Sequence, residues 1–214
     1  MNSHHIIFTI DSSAHIIVEN RQPIDLLPCF CETPIIFKQP GCEYILTIDN
    51  IRENMRVFYE QLSRTLRNDL ILHKSIRGDI GRAYNSYRRY TDDENPPDGK
   101  GDPFIPLYYV QRDGLENWIG HDYALWGYES NASWLYNAPD GSIIFEITLV
   151  YPGAFASKNT EATIMPYHKW IKTYTSYYVK KIPRDIAEQW LKQARSIVRR
   201  IDAIIDSSRH LTNC

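Results

Sequence analysis

His121 and Asp122 are adjacent, and Glu146 follows on a segment of alternating apolar residues. Imidazole beside carboxylate is the pairing that general acid–base catalysis uses, and a His-Asp pair also begins the ligand set of metal phosphohydrolases. Further metal ligands would have to come from His73 and His168. Sulfur offers a second option at Cys29, Cys31 and Cys42, but Cys-x-Cys lacks the spacing usual for zinc and no histidine lies close by in sequence. Gly78-Asp79-Ile80-Gly81 and Gly99-Lys100-Gly101 lack the strand-before, helix-after setting that lets backbone N–H groups cradle a phosphate. No Gly-x-Ser-x-Gly, His-Glu-x-x-His or Walker loop occurs. The residues thus predict no catalytic centre, no bound metal and no cofactor. An enzyme centred on His121, Asp122 and Glu146 would need a deep pocket that brings the three groups together.

Charge and aromatic rings suggest binding instead. Between residues 77 and 90, Arg77, Arg82, Arg88 and Arg89 interleave with Tyr84, Tyr87 and Tyr90, which is the mixture of phosphate-contacting cations and base-stacking rings used by single-strand binders. The next stretch, 91–103, contains Asp92, Asp93, Glu94, Asp98 and Asp102, three prolines, two glycines and no hydrophobic residue. It reads as an exposed acidic loop that would repel a phosphate backbone. Fifteen tyrosines and five tryptophans are many for a chain of this size, and they crowd near Trp118–Trp134 and Tyr167–Tyr178. Such rings fill cores, and they also anchor protein interfaces.

The elements that must hold these groups follow from periodicity. Ile6–Ile10 and Ala14–Glu19 flank Asp11-Ser12-Ser13 and predict a hairpin. Prolines 23, 28, 34 and 40 predict extended or looped chain until regular structure resumes near Ile45. From Asn50, the spacing of Ile51, Met55, Phe58 or Tyr59, Leu62, Leu66 and Leu70 predicts a helix of about five turns, with Asn50 and Glu53 as a capping box. Pro139-Asp140-Gly141 predicts a turn between a strand at Trp134–Tyr136 and one at Ser142–Tyr151. A short helix near Tyr167–Tyr174 and an extended Tyr177–Ile182 come next. Pro183 then opens a long final helix with Ile186, Trp190, Ala194, Ile197, Ile201 and Ile204 on one face and Lys192, Arg195, Arg199 and Arg200 on the other. The expected architecture is α+β, a mostly antiparallel sheet packed with two long helices, in one domain spanning 1–214.

The 214 residues carry 24 Lys+Arg against 26 Asp+Glu, a formal charge of −2, which excludes a generalised polyanion-coating protein. No segment reaches the ~20 apolar residues needed to cross a bilayer, and the start, Met1–Ile10, has no secretory pattern. Four clustered cysteines do not make an extracellular disulfide framework. A cytoplasmic protein with reduced thiols is expected.

Three stretches carry a resemblance: Trp118-Ile-Gly-His-Asp-Tyr-Ala-Leu-Trp126, Trp134-Leu-Tyr-Asn-Ala-Pro-Asp-Gly-Ser-Ile-Ile-Phe-Glu-Ile-Thr148 and Ile182-Pro-Arg-Asp-Ile-Ala-Glu-Gln-Trp-Leu-Lys-Gln-Ala194. Over residues 104–206 the chain resembles immunity proteins of contact-dependent growth inhibition and other polymorphic toxin systems. That resemblance implies a protein that binds a cognate toxin domain, commonly a basic nuclease, in a one-to-one heterodimer and covers its active-site cleft. It implies no reaction, no small-molecule substrate, no membrane and no direct nucleic-acid contact. The contacts expected on this chain are Asp92, Asp93, Glu94 and Asp98 for electrostatic steering and Trp118, Tyr123 and Trp126 as aromatic anchors. The alternative is a nucleic-acid-binding module built on 77–90.

Overall fold

The computed structural model describes residues 4–20, 22–24, 31–76, 79–92, 108–110, 116–152 and 164–212, with 88–92, 108–110, 116–117 and 208–212 described for their backbone only. The fold is α+β: two four-stranded antiparallel sheets, a two-stranded sheet and four helices. By internal contact the chain groups into two compact units. The first comprises Met1–Asp69, Leu125–Tyr128 and Ile182–Cys214, and the second Leu70–Ala124 and Glu129–Lys181. Among the described residues no helix is long and apolar enough to cross a membrane.

In the first unit, Ile6–Thr9 (β1) and His15–Val18 (β2) form the expected hairpin. Asp11 closes it, its Oδ1 accepting from the Ser13 and Ala14 N–H groups at 2.8 and 3.0 Å. Glu32–Gln39 (β3) and Cys42–Asn50 (β4) complete the order β1-β2-β3-β4. Strand structure therefore starts earlier than the prolines led us to expect. Pro34 stands one residue beyond the last β2–β3 pair, Val18↔Ile35, so its missing N–H interrupts none of those pairs. Pro40-Gly41 makes the β3–β4 turn, with Gly41 at φ 75°. Phe8, Ile16 and Phe37 align across three strands as a fully buried row, and Ile7, Ile17, Ile36 and Ile45 align on the other face.

Ile51–Leu66 (α1) and Arg184–Thr212 (α4) pack on each other over the buried row. Phe8 meets Phe58 edge-on at 5.0 Å, and Trp190 lies 5.8 Å from Phe58. Asn50 caps α1 by accepting from the Arg52 N–H at 2.9 Å, but Glu53 does not close the expected box: its carboxylate pairs with Arg56 at 3.1 Å and Arg52 at 3.3 Å. Arg52 also reaches Asp202 at 2.7 Å, joining the two helices. The final helix does more than lie across the sheet. Its Trp190 Nε1–H donates to the Thr9 carbonyl at 3.1 Å and its Gln193 Nε2–H to the Ile7 carbonyl at 3.2 Å, so α4 occupies the outer edge of β1.

The second unit holds Ile80–Asp92 (α2), Tyr108–Val110 (β5), Glu116–Trp118 (β6), Asn131–Asn137 (β8), Ile143–Leu149 (β9), Tyr167–Thr173 (α3) and most of Tyr178–Ile182 (β10). Ala124–Tyr128 is β7, and the second sheet has the order β10-β9-β8-β7. The β8–β9 hairpin is as expected, with Gly141 at φ 81° and Asp140 accepting from the Ser142 N–H at 2.9 Å. Residues on both of its faces are buried. The core of this unit gathers Leu70, Leu72, Ile76, Ile80, Ala83, Trp118, Tyr123, Trp134 and Tyr136.

Candidate functional site

Helix α2 was hidden in the sequence by its tyrosines, and it organises the second unit. Asp79 caps it, its Oδ1 accepting from the Arg82 N–H at 2.9 Å. From there Ile80, Ala83, Tyr84 and Tyr87 repeat at helical spacing and point into the core. Tyr87 stacks on Trp118 with centroids 5.0 Å apart and planes 8° apart, and Tyr84 packs edge-on to Trp134 at 5.0 Å. The glycine pair of 78–81 is therefore no phosphate cradle at its described end. Gly81 lies so close to β9 that an added Cβ would overlap the Tyr174 hydroxyl and the Thr148 side chain.

Under α2 the β8–β9 face carries an unusual set of polar groups. Trp134 is registered opposite Glu146 but donates diagonally to the Thr148 hydroxyl at 2.7 Å. Tyr136 repeats that offset and donates to Glu146 Oε2 at 2.8 Å. Ser176 donates to the other carboxylate oxygen, Oε1, at 2.6 Å. With Glu146 only 1 % exposed, burial pushes its carboxyl up; the Ser176 and Tyr136 hydrogen bonds oppose the rise and the charge of Asp79 adds to it. Burial raises the Tyr136 and Tyr174 hydroxyls well above the ordinary tyrosine range, and the Glu146 charge adds to both. Asn85 finishes the network: its Nδ2 donates to the Gly81 and Leu149 carbonyls at 2.9 and 3.0 Å, and its Oδ1 accepts from the Tyr151 N–H at 2.7 Å.

This arrangement settles where the candidate residues stand. Both oxygens of Glu146 engage Tyr136 and Ser176, neither of them its expected partners His121 and Asp122. His121 lies on the 3₁₀ stretch Ile119–Tyr123, edge-on to Tyr87 at 5.3 Å and to Trp118 at 5.6 Å, and burial lowers its pKa against the pull of Asp122. Among the described residues no group of three or more His, Cys, Asp or Glu could hold a metal ion; Cys29 lies outside them.

The expected aromatic anchors need correction. Trp118, Tyr123 and Trp126 are 1 %, 5 % and 6 % exposed, so the folded chain offers almost none of their surface to a partner. Each has an internal task. Trp118 carries the stack with Tyr87, and Gly120 is obligatory beside it because a Cβ there would overlap the indole. The Tyr123 hydroxyl donates to the Ile71 carbonyl and accepts from the His73 N–H, both at 3.1 Å. Trp126 packs 5.0 Å from Phe58 in the first unit. Their number and spacing could not separate core from contact, since both uses favour large rings.

Of the steering residues, Asp93, Glu94 and Asp98 lie outside the described residues, and Asp92 ends α2 with only its backbone described. Arg77 is also outside them, and the side chains of Arg88, Arg89 and Tyr90 are not described. Arg82 is bound internally. Its Nε meets Asp79 at 3.4 Å, its Nη1 donates to the Ile171 carbonyl at 2.8 Å, and its guanidinium lies 5.8 Å over the Tyr174 ring.

A concave charged feature lies on α4. A shallow hollow of ≈ 470 Å³ is lined among the described residues by Lys192, Arg195, Ser196, Arg199, Arg200 and Ala203. Its cations are exposed, and none of Lys192, Arg195 and Arg199 forms a salt bridge among the described residues. The periodicity of α4 showed these residues on one face, but a solvated helix surface has the same pattern.

No family model, curated protein or solved structure matches the chain.

Proposed function

We propose that this chain is an immunity-type binding protein that neutralises a cognate toxin domain, of the nuclease class, in a one-to-one complex and performs no reaction itself. One contrast between its polar groups supports the reading. In the interior, Glu146, Tyr136, Asn85 and Arg82 are tied into hydrogen bonds that hold strands and helices together. On the surface, the cations of α4 line a shallow hollow with room for a few side chains of a partner. Polar groups consumed by internal structure in one unit and open charge on the surface of the other suit recognition better than turnover, because a catalytic group must reach its substrate. The nucleic-acid reading of 77–90 is less well supported, since Arg82, Tyr84 and Tyr87 are engaged inside the second unit.

The test is to co-express the chain with the product of the neighbouring upstream reading frame, purify by a tag on one partner, and assay nuclease activity with and without this chain. A stoichiometric complex with abolished activity is the expected result. Separate elution of the two proteins, with activity undiminished, would overturn the proposal.

A further inference from the structure

We infer that the cationic face of α4 is a docking surface for a carboxylate-lined patch on a partner protein. The inference rests on reading the chain as a binding protein and adds the location and chemistry of one contact. Lys192, Arg195, Arg199 and Arg200 fall within nine residues, about 12 Å along the helix axis at 1.5 Å per residue. Ser196 and Ala203, seven residues apart, put short side chains among these long ones, which leaves the hollow.

Three of the four cations on this face have no carboxylate partner among the described residues. Elsewhere in the first unit cations have carboxylate partners: Lys38 with Glu43, Arg52 with Asp202, Arg56 with Glu53, Arg67 with Asp69 and Arg184 with Glu188. Lys192, Arg195 and Arg199 have none among the described residues. The nearest acids of α4 are used already, Glu188 by Arg184 and Asp202 by Arg52. Lys192 with Arg195 and Arg195 with Arg199 are also like charges at three- and four-residue spacing, which disfavours the isolated helix. An anion seated in the hollow would relieve that repulsion.

Carboxylates fit better than phosphates. Three of the four cations are arginines, whose planar forks take carboxylate and phosphate oxygens alike in paired hydrogen bonds, so the choice falls to the rest of the lining. No aromatic ring is among the described lining residues, so the hollow lacks the stacking platform that single-strand binding uses. This face therefore asks its partner for acidic residues, the opposite sign to that expected of a contact through 91–103.

The experiment compares wild type with the double variant Arg195→Glu/Arg199→Glu and its neutral counterpart Arg195→Gln/Arg199→Gln, each first checked for an unchanged circular dichroism spectrum and melting temperature. The probes are a fluorescent oligo-glutamate peptide and a single-stranded oligodeoxynucleotide of equal charge, followed by anisotropy over a salt series. Wild type should bind the peptide more tightly than the oligonucleotide, and the Glu variant should bind it at least about tenfold more weakly, with Gln between. Equal peptide affinity in all three proteins would overturn the inference. Tighter binding of the oligonucleotide would also overturn it and identify the face as a nucleic-acid contact. Measured on the toxin complex, undiminished binding by the Glu variant would reject this surface and leave the immunity reading standing, whereas a wild type that binds peptide but no toxin would do the reverse.

Discussion

Glu146 is a carboxyl group held in the core of the second unit by two hydroxyl donors. Its folded value is raised above the ordinary 4.5, so the folded chain keeps that proton to higher pH than the unfolded chain does. The stability it contributes is full below about pH 4.5 and is lost as pH rises through the folded value. Replacing it by Gln removes the titration while keeping an acceptor for Tyr136. Urea unfolding of both proteins from about pH 4 to about pH 8 should show wild type losing stability relative to Glu146→Gln as pH increases. Parallel curves would mean that Glu146 does not titrate in that window. Asn85 gives a second prediction. Asn85→Ala leaves the Tyr151 N–H and the Leu149 carbonyl without their partner, and the loss should be about 2–4 kcal/mol by urea unfolding. A change under about 0.5 kcal/mol would show that solvent replaces the side chain.

At the scale of elements, the seating of α2 on β9 depends on Gly81. Alanine is the better helix former by up to about 1 kcal/mol, but its methyl would overlap Tyr174 and Thr148. Overpacking should win, and Gly81→Ala should lower stability by about 1–3 kcal/mol. The cause can be isolated by repeating the substitution with Tyr174→Phe, which removes the overlapping hydroxyl: part of the loss should return, and strict additivity would place the strain elsewhere. Periodicity exposed α1, α4 and the β8–β9 hairpin because their patterns are unbroken: Ile51 through Leu62, Ala187 through Ile201, and alternation on either side of Pro139-Asp140-Gly141. It missed α2, where tyrosines take the places of aliphatic residues, and β3, where Pro34 looked like a breaker. Asp79 three residues before Arg82 was the available signal for α2, and it was read as part of a glycine loop.

At the scale of the molecule, most of the polar chemistry visible in the sequence turns out to be architecture. Glu146 alternates with apolar residues in the sequence, and no local pattern shows that both sides of β9 are covered. Trp118, Tyr123 and Trp126 were ambiguous for the same reason: residue type reports affinity for buried surroundings, while tertiary structure decides whether those belong to this chain or to another. The cations of α4 were legible as a face, and only the pairing of the nearby acids makes that face distinctive. With positive charge concentrated there on a chain of net −2, association with an acidic partner should be steered by long-range attraction. Raising salt from about 0.05 M to about 0.5 M should slow association by about tenfold or more while changing dissociation far less, as the Debye length falls below 10 Å. Stopped-flow mixing with the proposed partner reads both rates, and a salt-independent association rate would remove electrostatics from recognition.

The contact of Trp190 and Gln193 with the outer carbonyls of β1 has a further consequence. An open strand edge is a template on which another chain can lay a strand of its own, and repetition of that step builds fibrils. Here two of the acceptors such a strand would need are already taken by side chains of the last helix. Trp190→Phe with Gln193→Ala would release them with little change to the buried rings, and the variant should aggregate earlier than wild type under agitation, followed by light scattering. Beyond packing on the sheet, α4 thus occupies two acceptors at the outer edge of β1 that would otherwise be open to a further strand.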